Sequence, residues 1–336
     1  MPARRGSPPA RAGECRPRRL ASAMAAGLAL AVLPGAPATS TALAMPRDGA
    51  DPTAGSTPRG DFAGSVSLPG GRQVYVECRG TGTPTVVLIS GARGAADEWT
   101  HAVDPAHPQA APRPSPSAVL PTVASFTRVC AYDRPGTTRF DDVPTPTTAV
   151  PQPTTAQDGA ADLRAVLAAA GEHGPYVLVG ASWGAMIATL AARTGDPRVA
   201  GLVTVDGAST HLRDTLTPTQ WSEWMRTIDA TEGPEGLEVP DYTASVAEIR
   251  AAPQLARLPA AVLSSDEPWD LRLDGGGSTW PAWSAAQARL AAELEARHVT
   301  DTHSGHGVAV EQPRTVSDAV RDVVDRVRGG THEQRR

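Results

Sequence analysis

The residues with the clearest chemical meaning lie in segment 176–184, which reads Tyr-Val-Leu-Val-Gly-Ala-Ser-Trp-Gly. An apolar run ends in Gly180-x-Ser182-x-Gly184, and a helix-like stretch over 185–192 follows at once. A strand, a sharp turn and a helix in this order raise the serine hydroxyl above the edge of a sheet and place it at the helix N-terminus. Side chains at positions 180 and 184 would collide with the neighbouring elements. We therefore predict that Ser182 is a nucleophile; the alternative is an inert serine in an ordinary turn.

A serine hydroxyl is a poor nucleophile unless a base takes its proton during attack. Histidine is the side chain whose pKa lies nearest neutrality. The chain has eight histidines. Six of them fall in loops, in an insertion, on a strand or in the tail: His101, His107, His173, His211, His298 and His332. His303 and His306 are left as candidates for the base.

The elements that must position these groups alternate between continuous apolar strands and helices. This alternation predicts a mostly parallel sheet that is covered by helices on both faces. Active groups of such sheets gather at the carboxyl ends of the strands. The polar residues and glycines found there are Gly91 to Gly94, Ser182, Asp206, Ser265, Asp266, Glu267, His303 and His306. The set contains a nucleophile, acids and a base in the chain order Ser, Asp, His.

About fifty residues separate the predicted strands 202–206 and 260–264 and carry helix signals of their own. A bare loop of this length is uncommon, so residues 208–257 are predicted to form a small helical cap over the site. Trp221, Trp224 and Met225 either line an apolar pocket in this cap or pack it on the core.

The N-terminus has the pattern of a secretory signal peptide. Six arginines precede an apolar stretch over 20–33, and small residues at 36–38 and 42–44 fit a cleavage site near 38 or 44. We predict a signal peptide over 1–44, a flexible linker over 45–60, a catalytic domain over 61–330 and a disordered tail over 331–336. An uncleaved anchor is the alternative, and the mature chain is expected to have no stable membrane span.

The net charge of −5 disfavours a nucleic-acid partner, which would require a basic face. Cys15 would leave with the signal, and Cys78 and Cys130 would remain in an oxidising compartment. A disulfide between them is plausible there; two buried free thiols are the alternative.

The chain resembles the α/β-hydrolase-fold serine hydrolases, in particular their esterase-like branch. The resemblance rests on three motifs: the Gly180-x-Ser182-x-Gly184 turn, the Val-Val-Leu-x-x-Gly strand over 86–91 and the Arg-Val-Cys-x-Tyr-Asp-Arg-x-Gly segment over 128–136. It covers about residues 72–328. It implies a mostly parallel eight-stranded sheet with helices on both faces and a cap after the sixth strand. It also implies that the strands carrying Cys78 and Cys130 are neighbours, which favours the disulfide.

The resemblance further implies a Ser-acid-His triad. The Ser304-Gly305-His306-Gly307 setting matches the family's loop before the last helix, so His306 is the expected base. His303 is expected to lie at the surface or just behind the reacting groups. The acid usually follows the seventh strand, which favours Asp266, with Asp206 and Glu267 as alternatives because the family's usual Gly-x-x-Asp spelling is missing here.

The expected oxyanion donors are the backbone N–H groups of Trp183 and Ala92. The sequence thus predicts an exported serine hydrolase that cleaves an ester or similar acyl bond of a small molecule. No metal or organic cofactor is expected, because neither ligand spacing nor a phosphate-binding glycine pattern is found.

Two alternatives stay open beside the esterase. An exopeptidase of the same fold could bind a substrate amine with cap acids, for which the candidates are Glu223, Asp229, Glu232, Glu235 and Glu238. A hydrolase-fold binding protein without activity is the other. The oligomeric state does not follow from the sequence.

Overall fold

The computed structural model describes residues 60–229, 236–271, 273 and 277–333, with side chains up to residue 330. The predicted signal peptide, the linker apart from Gly60, Cys15 and the side chains of the tail lie outside the described residues.

The chain alternates strands and helices along most of its described length. The strands are β1 (Phe62–Ser67), β2 (Gln73–Arg79), β3 (Thr85–Ile89), β4 (His101–Ala102), β5 (Arg113–Pro114), β6 (Val129–Tyr132), β7 (Tyr176–Ala181), β8 (Val199–Val205), β9 (Ala260–Leu263) and β10 (Arg297–Val299). The helices are α1 (Val119–Ala124), α2 (Ala156–Ala169), α3 (Trp183–Arg193), α4 (Leu212–Thr215), α5 (Pro218–Asp229), α6 (Tyr242–Ala251), α7 (Trp280–Glu293), α8 (Val308–Glu311) and α9 (Pro313–Glu333).

Within the described residues, eight strands form one sheet in the order β1-β2-β6-β3-β7-β8-β9-β10. Strand β2 is antiparallel to both of its neighbours, and the pairs from β6 to β10 are parallel. The predicted mostly parallel eight-stranded sheet is confirmed. Edge strand β1 was not predicted from the sequence, because its short residues alternate between exposed and half-buried positions and give little apolar signal.

Helices cover both faces of the sheet, as predicted. Alternate residues of β3 point to opposite sides: Val87 and Ile89 belong to the core cluster that includes helices α2 and α3. Val86 and Leu88 belong to the cluster that includes α1 and α9. Burial on both sides explains why the central strands are continuous apolar runs without alternation.

The segment between β8 and β9 follows the sixth strand of the sheet and contains helices α4, α5 and α6. Trp224 packs on Tyr242, with ring centroids 4.5 Å apart, and Tyr242 packs on Trp183 at 5.0 Å. Trp221 and Trp224 are both buried. Of the two interpretations of these tryptophans, the structure supports packing of the insertion on the core.

Strands β2 and β6 place Cys78 directly opposite Cys130, and the two sulfur atoms are bonded. The bond joins residues 52 positions apart and ties the antiparallel edge of the sheet to its parallel centre. Of the helices that the structure describes, none is both long and apolar enough to span a membrane.

Candidate active site

Ser182 lies in the turn between β7 and α3, with φ 46° and ψ −117°. The backbone of a non-glycine residue with positive φ is strained, and this conformation persists only when the surrounding structure holds it. A Cβ at position 180 would overlap the carbonyl of Gly184, and a Cβ at position 184 would overlap the carbonyl of Ile89. Both glycines are therefore needed for this turn, as the sequence predicted.

His306 lies in the loop between β10 and α8, and its Nε2 is 3.0 Å from Oγ of Ser182. The imidazole is partly open to solvent, with 37% of its side chain exposed. His303, the other candidate, is 82% exposed, and its Nδ1 lies 3.5 Å from Oδ2 of Asp266 rather than near Ser182. The structure thus brings together the predicted nucleophile and base.

The prediction that Asp266 orients the histidine is wrong in this geometry. Nδ1 of His306 lies 2.7 Å from Oδ2 of Asp206, which is fully buried at the end of β8. The second oxygen of Asp206, Oδ1, accepts three hydrogen bonds: from the backbone N–H and the hydroxyl of Ser265, and from Nε1 of Trp283. Three donors on one oxygen hold the carboxylate in place and leave Oδ2 free for the histidine.

Asp266 instead holds the loop that carries the histidine. Its Oδ1 accepts the N–H of Ser304 at 3.0 Å and the hydroxyl of Thr302 at 3.3 Å. Partial desolvation acts to raise the pKa of Asp266, but the hydrogen bonds from Ser304, His303 and Thr302 prevail and lower it below its usual value. No described contact joins the side chain of Glu267, the third candidate acid, to His306; its backbone N–H donates to Ser304.

Two indoles flank the imidazole of His306. The ring centroid of Trp269 lies 4.1 Å away and that of Trp283 5.4 Å away, the latter edge-on. Nε1 of Trp269 donates to the hydroxyl of Ser265, which in turn donates to Asp206. This role could not be predicted from the sequence, because the two tryptophans are distant from His306 along the chain and no periodic pattern links them.

The predicted oxyanion donors are both unengaged. In loop 91–94 the N–H groups of Gly91, Arg93 and Gly94 donate to Glu98, Glu238 and Gly91, respectively. Within the described residues, the N–H groups of Ala92 and Trp183 have no protein acceptor. Two free donors beside a nucleophile are what an oxyanion requires.

An ion pair that the sequence did not predict supports this loop. Arg134 donates to the carbonyls of Ser90 and Gly91 and pairs with Glu238 at 2.7 Å, while Glu238 also accepts the N–H of Arg93 at 2.6 Å. Both charged side chains are almost completely buried. Desolvation opposes the charge of Arg134, but Glu238 outweighs it and raises the pKa of the guanidinium above its usual value.

A cavity of about 360 Å³ opens beside Ser182 and His306. Its walls are mostly small or apolar, with Asp97 and Glu98 as the carboxylates; the lining residues are Gly91, Ala92, Gly94, Ala95, Asp97, Glu98, Thr138, Phe140, Ala181, Ser182, Val205, His306, Gly307, Ala309 and Val310. This volume suits a small ligand.

Comparison with known proteins agrees with the fold. The sequence profile of the alpha/beta hydrolase fold family matches residues 84–273, more than half of the chain, and the chain belongs to this family. A comparison with curated proteins gives no significant sequence match.

Among solved structures, the chain is similar to a thermophilic esterase from Thermogutta terrifontis. The two are 19% identical, with a TM-score of 0.55, and the match covers 79% of this chain and 99% of the esterase. A CIB-like hydrolase from Thermoplasma acidophilum is 14% identical with a TM-score of 0.51, over 78% of this chain and 96% of that one. At these identities the likeness establishes the fold.

Proposed function

We propose that this protein is a serine hydrolase that cleaves an ester or similar acyl bond through Ser182, His306 and Asp206. The single observation that carries the proposal is the continuous chain of contacts from Oγ of Ser182 through the imidazole of His306 to the buried carboxylate of Asp206. This is the arrangement that activates a serine hydroxyl.

In the first half of the proposed reaction, Oγ of Ser182 attacks the acyl carbon while Nε2 of His306 takes the hydroxyl proton. The negative charge moves to the carbonyl oxygen, where the N–H groups of Trp183 and Ala92 stabilise it. Collapse of this intermediate breaks the bond to the alcohol, which leaves with the proton from His306. An acyl group then remains on Ser182.

In the second half, water attacks the acyl carbon and gives a proton to His306. The bond to Ser182 breaks, the serine recovers the proton, and the carboxylic acid leaves. Asp206 stays ionised throughout; it holds Nδ1–H of the imidazole and stabilises the positive charge that forms there twice.

A fluorophosphonate probe and a panel of phenyl and p-nitrophenyl esters test the proposal. We expect wild-type protein to be labelled and to hydrolyse esters, and the Ser182→Ala variant to lose both properties while its circular dichroism is unchanged. Folded wild-type protein that is neither labelled nor active would overturn the proposal and favour the binding-protein alternative.

The exopeptidase alternative receives little support from the cap acids. Both oxygens of Glu238 are engaged by Arg134 and the N–H of Arg93. Glu232 and Glu235 lie outside the described residues, and neither Glu223 nor Asp229 lines the cavity. Aminoacyl anilides in the same panel distinguish peptidase from esterase activity.

We also propose that the protein is exported, with cleavage near residue 38 or 44. The support is the pattern of the N-terminal sequence together with the bond between Cys78 and Cys130, since such bonds persist in oxidising compartments. N-terminal sequencing of protein recovered outside the producing cells tests this, and full-length protein found only inside them would contradict it.

A further inference from the structure

The reaction proposed above does not use Glu98, although this residue lies in the wall of the same cavity as Ser182 and His306. Its Oε2 accepts the N–H of Gly91 at 2.8 Å. Gly91 separates the carboxylate from the nucleophile: the Cβ that it lacks would lie 3.3 Å from Cβ of Ser182 and 3.9 Å from Oε2 of Glu98. The carboxylate is therefore next to the position where an acyl group would be attacked.

The second oxygen of Glu98, Oε1, has no protein partner among the described residues and is not sealed from solvent. The arginines whose charges reach this wall are committed elsewhere, Arg134 to Glu238 and Arg139 to Asp133. Within the part of the chain that the structure describes, no arginine lines the cavity. The carboxylate thus faces the cavity without a counterion from the protein.

The charged form of Glu98 is unfavourable in the free protein, because no described residue provides a counterion for its carboxylate. Desolvation raises the pKa of Glu98, and the N–H of Gly91 and the charges of Arg134 and His306 only partly oppose the rise. A fixed negative charge beside the oxyanion would also oppose the attack on a neutral ester. A cation bound to Oε1 offsets both penalties, because it pairs with the carboxylate and opposes its field.

We propose that Glu98 selects substrates that carry a protonated amine close to the scissile carbonyl. The proposal rests on the hydrolase function above and names its substrate class. The ammonium group donates to Oε1 of Glu98, and the small side chains at Ala92, Ala95 and Ala309 leave room for a short acyl chain. The same charge disfavours acids such as the half-esters of succinate.

The test compares esters that differ by one group. Phenyl butanoate and phenyl 3-aminopropanoate have the same shape, with a methyl group in one replaced by an ammonium group in the other. We expect wild-type protein to prefer the cationic ester in kcat/KM, and Glu98→Gln to reduce this preference about 10- to 100-fold, the usual weight of a hydrogen bond between charged groups. Glutamine has the same shape and can still accept the N–H of Gly91.

Glu98→Gln is expected to change kcat/KM differently for the two esters. Glu98→Gln lowers kcat/KM for the cationic ester and leaves it equal or higher for the neutral one. Asp97→Asn is the matched control: it removes the same charge from the neighbouring residue, whose Oδ2 is bound by the N–H of Phe140. A preference that survives in Glu98→Gln, or that Asp97→Asn reduces equally, would overturn the proposal.

A binding experiment keeps the inference separate from the hydrolase proposal. In the Ser182→Ala protein, calorimetry compares N-phenyl 3-aminopropanamide with N-phenyl butanamide. Tighter binding of the cationic amide that is lost when Glu98→Gln is added supports the site even if no ester is hydrolysed. Equal binding of the two amides counts against it even if the protein is an active esterase.

Discussion

His306 and Asp206 are joined by a contact of 2.7 Å between Nδ1 and Oδ2, although one hundred positions separate them in the chain. Asp206 directly follows β8, and Ser182 directly follows β7, the neighbouring strand of the sheet. Asp266, one strand further along the sheet, is engaged by the backbone that leads to His306. Two carboxylates at one edge of the sheet thus have separate tasks: one faces the imidazole and the other holds its loop.

The first prediction separates these two tasks. Asp206→Asn should lower kcat for a phenyl ester about 10³- to 10⁴-fold, because an amide cannot fix the imidazole in the required tautomer or stabilise its charge. Asp266→Asn should lower kcat less than about 10-fold, since neutral asparagine still accepts the loop hydrogen bonds. Steady-state kinetics of both variants measure these losses. A larger loss of kcat in Asp266→Asn than in Asp206→Asn would show that Asp266 is the acid that orients His306.

The second prediction concerns Trp283, whose indole N–H donates to Asp206 at 3.0 Å. Trp283→Phe keeps an aromatic ring beside His306 and removes this one donor to a carboxylate, so kcat should fall about 10-fold. Trp280→Phe is the control, because Trp280 begins the same helix and is not among the described ring neighbours of His306 or hydrogen-bond partners of Asp206. Equal activity of both variants would show that the hydrogen bond is not needed.

The third prediction concerns the ion pair between Arg134 and Glu238. Glu238→Gln leaves a buried guanidinium without its counter-charge, and the free energy of unfolding should fall by about 3 kcal/mol. Glu295→Gln removes one partner of an exposed pair with Arg257 and should cost about 0.5 kcal/mol. Urea denaturation of the two variants measures both values, and similar losses would contradict the role given to the buried pair.

The fourth prediction uses the bond between Cys78 and Cys130. The bond closes a loop across 52 positions, and replacing both cysteines with alanine should lower the free energy of unfolding by about 4 kcal/mol, chiefly by releasing the unfolded chain. Calorimetry with and without a reductant measures the effect. A reductant should lower the melting temperature of wild-type protein and leave that of the double variant unchanged.

The fifth prediction follows from the raised pKa of Glu98, whose charged surroundings are Arg134, His306 and Asp97. A carboxyl with a raised pKa binds its proton more tightly in the folded state, so it favours folding at low pH and opposes it once ionised. Glu98→Gln should therefore be more stable than wild-type protein at neutral pH, with the difference vanishing as the pH falls through the carboxyl range. Urea denaturation across pH measures this; a less stable variant at neutral pH would refute it.

Local signals predicted much of this fold. The turn at Ser182 was predicted because it requires glycine at positions 180 and 184, and both glycines can be recognised within a segment of five residues. The start of helix α2 also depends on a local signal, because the side chain of Thr155 accepts the N–H of Asp158 while the side chain of Asp158 accepts the N–H of Thr155. Strand β1 was missed because it lies at the edge of the sheet and is stabilised by pairing with β2 rather than by its own apolar side chains.

The order of residues along the chain is enough to identify the reactive groups and the edge of the sheet at which they lie. Ser182, His306 and the two aspartates were recognisable because a parallel sheet brings the ends of its strands together. The folded chain was needed to show which aspartate faces the imidazole, that Glu238 supports the loop at Ala92, and that Glu98 lines the cavity. Such choices depend on which donors surround each carboxylate, and those donors come from distant segments that only the packed chain brings together.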